Sequence, residues 1–322
     1  MGHLVDGQWR TDWYAPDELG RFQRPRTKYR AWIRADGRTP FAAEAGRYHV
    51  YASTACPWAH RVLILRALRG LEDAISVTIV DPHMGDDGWP FHVDRPDPLG
   101  PSRFMRDVYL RAKPDYTGRV TVPVLWDRGH GTIVNNESRE IVRMLDVEMD
   151  ALATRGPSLA PPELLGRVDE VLDAIYEPIN NGVYRAGFAT TQAAYEDACR
   201  ELFAALDRWE AVLARQRFLC GDAMTEADVA LFTTLLRFDL VYYSHFKCNL
   251  RRVRDYPALW GFVRDVYQTP GVRETCDLDA IKTHYYWSQT TINPTRVVPL
   301  GPALDLDAPH GRGSSNARMS LA

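Results

Sequence analysis

The hydrophobic pattern of the chain changes period near residue 163. Before that point, short β-branched and aromatic runs predict strands at His49-Val-Tyr51, Ala74-Ile-Ser-Val-Thr-Ile-Val-Asp81, Val120-Thr-Val-Pro-Val-Leu-Trp126 and Thr132-Ile-Val-Asn-Asn136. An apolar helix opening at Pro57 separates the first two, so strand, helix and strand form a βαβ unit. Pro123 interrupts the third run, and a central strand cannot use a proline there. That run therefore reads as an edge strand or a bend, with a cis Val122–Pro123 bond. The fourth run and the helix Glu137-Ser-Arg-Glu-Ile-Val-Arg-Met-Leu145 complete a βαβ…ββα pattern.

Beyond residue 163 the spacing is helical. Leu164, Leu165, Val168, Val171, Leu172 and Ile175 recur at three and four, as do Tyr195, Cys199, Leu202, Leu206, Trp209 and Leu213. Thr225-Glu-Ala-Asp228 reads as a capping box that starts the buried helix Val229-Ala-Leu-Phe-Thr-Thr-Leu-Leu236.

The remaining stretches are punctuated by Gly and Pro. Residues 1–46 read as an extended arm held by its tryptophans. Residues 82–117 read as a long loop of the kind that carries function. A linker rich in Pro, Ser and Gly covers 153–162, and residues 284–322 read as a coil tail, flexible after Pro309. Trp9, Trp13, Trp32, Trp89 and Trp287 are expected to be packing anchors. The expected domains are 47–150 (α/β) and 163–283 (all-helical).

With 322 residues, 45% hydrophobic and 25% charged, the chain can bury a sizeable core in about two domains. A net charge of −3 leaves no footprint for nucleic acid, and no apolar run is long enough to span a membrane. A small-molecule substrate and a cytoplasmic location are expected. The five cysteines are odd in number and widely spaced, without a zinc-site pattern, and read as reduced thiols. No metal is expected.

Cys56 stands apart from the other four. It falls where the first strand gives way to a helix, and Pro57 suits the first position of that helix, so Cys56 takes the N-cap. Unpaired N–H groups and the helix dipole there favour a thiolate, bringing thiol pKa values from about 8.5 into roughly 3.5–7.5. A buried structural cysteine is the ordinary alternative; the strand, cap and proline context opposes it. The run is Cys-Pro-Trp-Ala59, with no second thiol nearby to resolve a mixed disulfide. Turnover then needs an external thiol, and glutathione fits that role.

Taken together, these features resemble the glutathione transferases, with a thioredoxin-like N-terminal domain followed by an all-helical C-terminal domain. The finer match is to the xi class, the glutathionyl-hydroquinone reductases. It is carried by Cys56-Pro-Trp-Ala59, Asp86-Asp-Gly-Trp-Pro-Phe91, Val122-Pro-Val124, Asn135-Asn-Glu-Ser138, Asn180-Asn-Gly-Val-Tyr-Arg-Ala-Gly-Phe188 and Ile292-Asn-Pro-Thr295.

The resemblance implies roles for particular residues. Glutathione would be the co-substrate. The backbone of Val122, before Pro123, would pair with its cysteinyl part. Glu137 would meet its ammonium and Ser138 its γ-glutamyl carboxylate. Trp89 would lie along the tripeptide, and Arg103 or Arg106 would meet the glycyl carboxylate. Tyr184, Tyr242 and Tyr285 would line an aromatic pocket, with Tyr243 and Tyr286 as adjacent decoys. Cys56 would attack the thioether sulfur of a glutathionyl-hydroquinone, and the aromatic carbon would leave with a proton relayed by a tyrosine. A homodimer joined through the helical domain is also implied. A broader omega-type thioltransferase or dehydroascorbate reductase, and a binding module without chemistry, remain the alternatives.

Overall fold

The computed structural model describes residues 2–12 and 14–313. Trp13, one of the expected anchors, and residues 314–322 of the expected flexible end lie outside the described residues. The chain divides into two compact units: Met1–Tyr14, Arg24–Ser158 and Thr275–Val298 form the first, and Ala15–Gln23, Leu159–Glu274 and Pro299–Ala322 the second.

In chain order the first unit contains β1 (His3–Val5), β2 (Gln8–Arg10), β3 (Tyr48–Ala52), α1 (Pro57–Leu68), β4 (Ile75–Ile79), α2 (Met105–Ala112), β5 (Gly118–Arg119), β6 (Val124–Asp127), β7 (Thr132–Asn135) and α3 (Ser138–Arg143). The second contains α4 (Leu165–Ile175), α5 (Gly182–Gly187), α6 (Gln192–Leu213), α7 (Glu226–Arg237) and α8 (Pro257–Tyr267); α9 (Leu278–Ser288) belongs again to the first.

The main sheet runs in the order β4-β3-β6-β7. β3 is parallel to β4 with Val50 opposite Val77, as the βαβ crossover requires, and antiparallel to β6 with Val50 opposite Leu125. β6 is therefore an interior strand, which corrects the edge-strand alternative. The bend with a cis Val122–Pro123 bond is what forms. The proline sits just ahead of the strand, so its missing N–H falls outside the ladder.

Other expectations change. The arm is partly β-structure: β1 and β2 form a hairpin, and β1 also pairs with β5. Asp6 and Gly7 form its turn at φ 48° and 76°, the left-handed pair that suits strand twist. Within the expected loop 82–117 lies α2, which buries Met105, Val108 and Tyr109 on one face. Its start is fixed by the Asp107 carboxylate, which accepts from the backbone N–H groups of Arg103 and Phe104 at 2.8 and 2.9 Å. The coil expected from His284 begins only after Ser288, where α9 ends.

The arm closes the sheet edge beyond β7. Ala31 N–H donates to Val134 O at 3.0 Å, and the Arg30 guanidinium grips Glu140 on α3. Pairing of this kind shields an edge that would otherwise template aggregation. In the second unit every residue of α7 is buried. Its capping box forms as expected: Thr225 N–H and hydroxyl both donate to Asp228 at 2.8 Å. The chain after Pro309 is anchored up to Arg312, which is buried and donates to the carbonyls of Ala258 and Gln216. No helix among the described residues is long and apolar enough to cross a membrane.

Candidate active site

Strand register brings the candidate residues of the first unit together. Ala52 ends β3 opposite Ile79, Tyr51 lies opposite Val124 at the start of β6, and Asn135 ends β7 opposite Leu125. Cys56 follows β3, Val122 and Pro123 precede β6, Glu137 and Ser138 follow β7, and the loop carrying Trp89 follows β4. All four segments thus leave the same end of the sheet. This is the end at which α1 and α3 present their unpaired N–H groups.

Cys56 is the N-cap of α1, with extended dihedrals of φ −79° and ψ 121° and Pro57 in the first turn. Its carbonyl accepts from His60 N–H at 2.9 Å, so the helix begins at the cysteine itself. The partly exposed sulfur lies 3.6 Å from the carbonyl oxygen of Val122. Tyr109 braces that segment: its hydroxyl donates to Thr121 O at 3.0 Å, and burial pushes its pKa upward.

Glu137 caps α3, its carboxylate accepting from Arg139 N–H at 3.5 Å and from the Thr27 hydroxyl at 3.3 Å. Ser138 is the first residue of that helix, and its buried Oγ has no hydrogen-bond partner. Burying a hydroxyl unpaired costs about 1–3 kcal/mol, a cost that an oxygen ligand reaching it would relieve. The two asparagines before Glu137 are structural. Asn135 Oδ1 accepts from Glu137 N–H at 2.7 Å, and Asn136 Nδ2 donates to the Tyr109 hydroxyl at 3.0 Å. Burial would raise the Glu140 carboxyl, but hydrogen bonds from Arg30 and Asn135 outweigh it and hold the group below its ordinary range.

Trp89 is buried and stacks on His284 of α9 with ring centroids 4.3 Å apart. Pro82 O lies 3.1 Å from His284 Nδ1, and the Ser288 hydroxyl accepts from Met84 N–H at 3.1 Å. These contacts hold α9, and with it the buried Tyr285, to the loop after β4. His284 carried no signal in sequence, because nothing there pairs it with a tryptophan far upstream. Arg106 is paired with Asp87 at 2.7 Å and lies over the Phe104 ring at 4.7 Å, whereas Arg103 is exposed.

Tyr184 and Tyr242 lie together in the second unit, 5.9 Å apart between ring centroids. Phe246 packs against both, at 5.5 and 5.4 Å. Tyr242 ends a π-helical turn, Phe238–Tyr242, and Tyr184 follows another, Tyr176–Asn180. Such turns recur at functional sites because the extra residue re-aims side chains. Asn180 locks the second by donating to Ala230 O and Thr234 Oγ1 at 3.0 and 2.9 Å. The ring of the neighbouring Tyr243 carries the Arg252 guanidinium over it at 5.1 Å.

Comparison with known proteins agrees with this architecture. Residues 55–148 match the family model of the glutathione S-transferase N-terminal domain, and residues 192–265 that of the C-terminal domain. The chain is 49% identical to the glutathionyl-hydroquinone reductase YqjG of Escherichia coli K12, over 97% of this chain and 98% of that one. It is 47% identical to the glutathionyl-hydroquinone reductase PcpF of Sphingobium chlorophenolicum, over 95% and 98%. Among solved structures, the xi-class transferase from Natrialba magadii superposes with a TM-score of 0.91 at 52% identity, covering 97% of this chain and 96% of that one. The glutathione-bound structure of YqjG superposes at 0.86, with 48% identity and 97% and 99% coverage. The chain belongs to the glutathione S-transferase family, as a member of its xi class.

Proposed function

We propose that this protein reduces glutathionyl-hydroquinones to hydroquinones, with glutathione as reductant and Cys56 as nucleophile. The observation that carries the proposal is the Cys56 thiol at the start of α1, 3.6 Å from Val122 O and at the same sheet end as the unpartnered Ser138 hydroxyl. The names of YqjG and PcpF support the substrate class.

Glutathione is held by the backbone of Val122 beside Pro123, by Glu137 at its ammonium and by Ser138 at its γ-glutamyl carboxylate. Trp89 flanks the tripeptide, and Arg106 meets the glycyl carboxylate. The Cys56 thiolate attacks the thioether sulfur, a sulfur–sulfur bond forms, and the carbon–sulfur pair passes to the ring. Carbon leaves readily only if the ring carries that charge onto oxygen, as a keto tautomer does. Tyr184, Tyr242 and Tyr285 supply hydrogen bonds to the ring oxygens and relay the proton that the carbon takes. A second glutathione then attacks the mixed disulfide, leaves as glutathione disulfide and restores the Cys56 thiolate.

Residues 47–150 serve as the glutathione-binding domain and residues 163–283 as the substrate and dimerisation domain of a cytoplasmic homodimer. Light scattering on the purified protein tests the dimer.

An omega-type thioltransferase is the second reading, favoured by a Schizosaccharomyces pombe relative named glutathione S-transferase omega-like 2, 46% identical over 91% of this chain. Steady-state rates on a glutathionyl-hydroquinone, a glutathione mixed disulfide and dehydroascorbate separate the two. A kcat/KM highest for the thioether supports the reductase, and one highest for the other two overturns it.

A further inference from the structure

The amino-terminal hairpin of the first unit packs on the loop that carries Trp89. β1 holds it to the body: Leu4 lies opposite Trp9 on β2 and opposite Gly118 on β5, on the segment that leads to Val122. Its turn is held as well, since Gly7 N–H donates to Tyr116 O at 3.1 Å and Asp6 N–H to the Thr117 hydroxyl at 2.8 Å. From this frame the Trp9 indole N–H donates to Asp86 O at 2.8 Å. The ring fits against two glycines: a Cβ on Gly2 would meet it at 2.3 Å, and one on Gly88 at 3.1 Å. Gly88 also sits at φ 83°, which other residues adopt only with strain. Arg106, in the first turn of α2, is the residue that this packing reaches. Its guanidinium stands over the Trp9 ring at 5.2 Å and over the Phe104 ring at 4.7 Å. Asp87 takes Nη1 at 2.7 Å, and no acceptor among the described residues reaches Nε or Nη2. The preceding residue, Met105, donates its N–H to Trp89 O at 2.8 Å, so Arg106 and Trp89 are carried on one frame.

We propose that Trp9 is a positioning residue for Arg106, and that the pair makes the site select glutathione over the shorter γ-glutamylcysteine, which lacks the glycine. The proposal rests on the reading of Arg106 as the partner of the glycyl carboxylate. An arginine side chain left to itself samples many rotamers, and each binding event then has to freeze it. The two aromatic rings hold the guanidinium beforehand, and cation–π attraction uses none of its hydrogen-bond donors. Asp87 engages Nη1 alone, so Nε and Nη2 remain to meet a carboxylate. The Asp87 side chain is 58% exposed, so water screens its charge and it subtracts little from that attraction. Trp9 itself touches no reacting atom; its effect passes through Arg106 to the glycine end of the peptide.

The test is titration calorimetry of the full chain with glutathione and with γ-glutamylcysteine. It needs no turnover, so its result stands apart from the reaction assigned to Cys56. The unaltered chain should bind glutathione about tenfold or more tightly than the dipeptide, and Arg106→Met should remove most of that preference. Trp9→Leu keeps apolar bulk on the hairpin but offers no π face. It should reduce the preference by about three- to tenfold while changing dipeptide affinity by less than about twofold. Trp9→Phe, which restores a π face without the indole N–H, should recover part of the loss. In the Arg106→Met background, Trp9→Leu should have no further effect on the preference, because the two act through one contact. Equal weakening of both ligands by Trp9→Leu, or a fully additive loss in the double variant, overturns the role of Trp9. An unchanged preference in Arg106→Met overturns the carboxylate assignment with it, and binding of neither ligand to the unaltered chain overturns the glutathione reading itself.

Discussion

The Cys56 sulfur lies 3.6 Å from the carbonyl oxygen of Val122, the residue before a cis proline. That relationship joins two features far apart in sequence: a helix start whose N-cap is the cysteine, and a strand start preceded by a proline. Both follow from prolines, since Pro57 can open α1 without losing a helical bond and Pro123 stops β6 from beginning earlier.

Ser138 separates binding from stability. Its hydroxyl is buried without a partner, so Ser138→Ala should leave the ligand-free protein as stable or up to about 1–2 kcal/mol more stable. The same change should weaken glutathione binding by roughly tenfold or more, because a charge-assisted hydrogen bond is lost. Thermal melts and titration calorimetry with glutathione give both numbers. A destabilised variant with unchanged affinity would assign Ser138 to the fold alone.

Much of this frame was legible in the sequence because its signals are local. Cys56-Pro57 marks a helix start, Thr225 and Asp228 a capping box, and Val122-Pro123 a bend, each within a few residues. The Asp6-Gly7 hairpin was also locally encoded and went unread, because the Gly, Pro and Arg around it read as an arm. Other features depend on partners distant in sequence. The π-helical turns that aim Tyr184 and Tyr242 leave the apolar period nearly unchanged, and Asn180 finds its acceptors on α7. The stack of Trp89 on His284 and the docking of Ala31 on Val134 are set by tertiary packing, which periodicity does not report.

Tyr242 and Tyr243 provide an internal comparison. Tyr242→Phe and Tyr184→Phe should each lower kcat for the glutathionyl-hydroquinone by roughly 10–100-fold, the usual contribution of a positioned proton donor. Tyr243→Phe, at the ring that carries the Arg252 guanidinium, should change it by less than about twofold. Regeneration of Cys56 from its mixed disulfide needs no ring proton and should be unaffected in all three. Equal losses in Tyr242→Phe and Tyr243→Phe would remove the assignment.

His49 sets part of the response to acid. It is buried on β3 between Ser76 and Thr78, whose hydroxyls lie 2.7 and 3.0 Å from its ring nitrogens, and burial lowers its pKa to about 4. The unfolded chain, with an ordinary imidazole near 6.5, binds this proton first as pH falls. Stability from this residue is therefore complete above about pH 6.5 and is lost progressively toward pH 4, by up to about 3 kcal/mol. His49→Gln should flatten the melting temperature across that window. An unchanged slope would mean that other groups set it.

Asp127 acts in a lower window. Burial would raise its carboxyl, but the Arg47 guanidinium at 2.8 Å, the His130 ring and Gly129 N–H outweigh it and hold the pKa at about 2. Its contribution is present above about pH 4 and disappears as pH falls toward 2, so Arg47→Met should cost stability at pH 7 and progressively less in acid. Denaturant unfolding at pH 7 and pH 3 checks this, and an equal loss at both would contradict it.

The central claim is that Cys56 takes the glutathionyl group directly from carbon. The most direct measurement is intact mass after mixing the reduced protein with a glutathionyl-hydroquinone and no free glutathione, while free hydroquinone is quantified. The account predicts a gain of about 305 Da on Cys56, one equivalent of hydroquinone released, and neither event in Cys56→Ser. Hydroquinone released without an adduct, or released equally by Cys56→Ser, would contradict it.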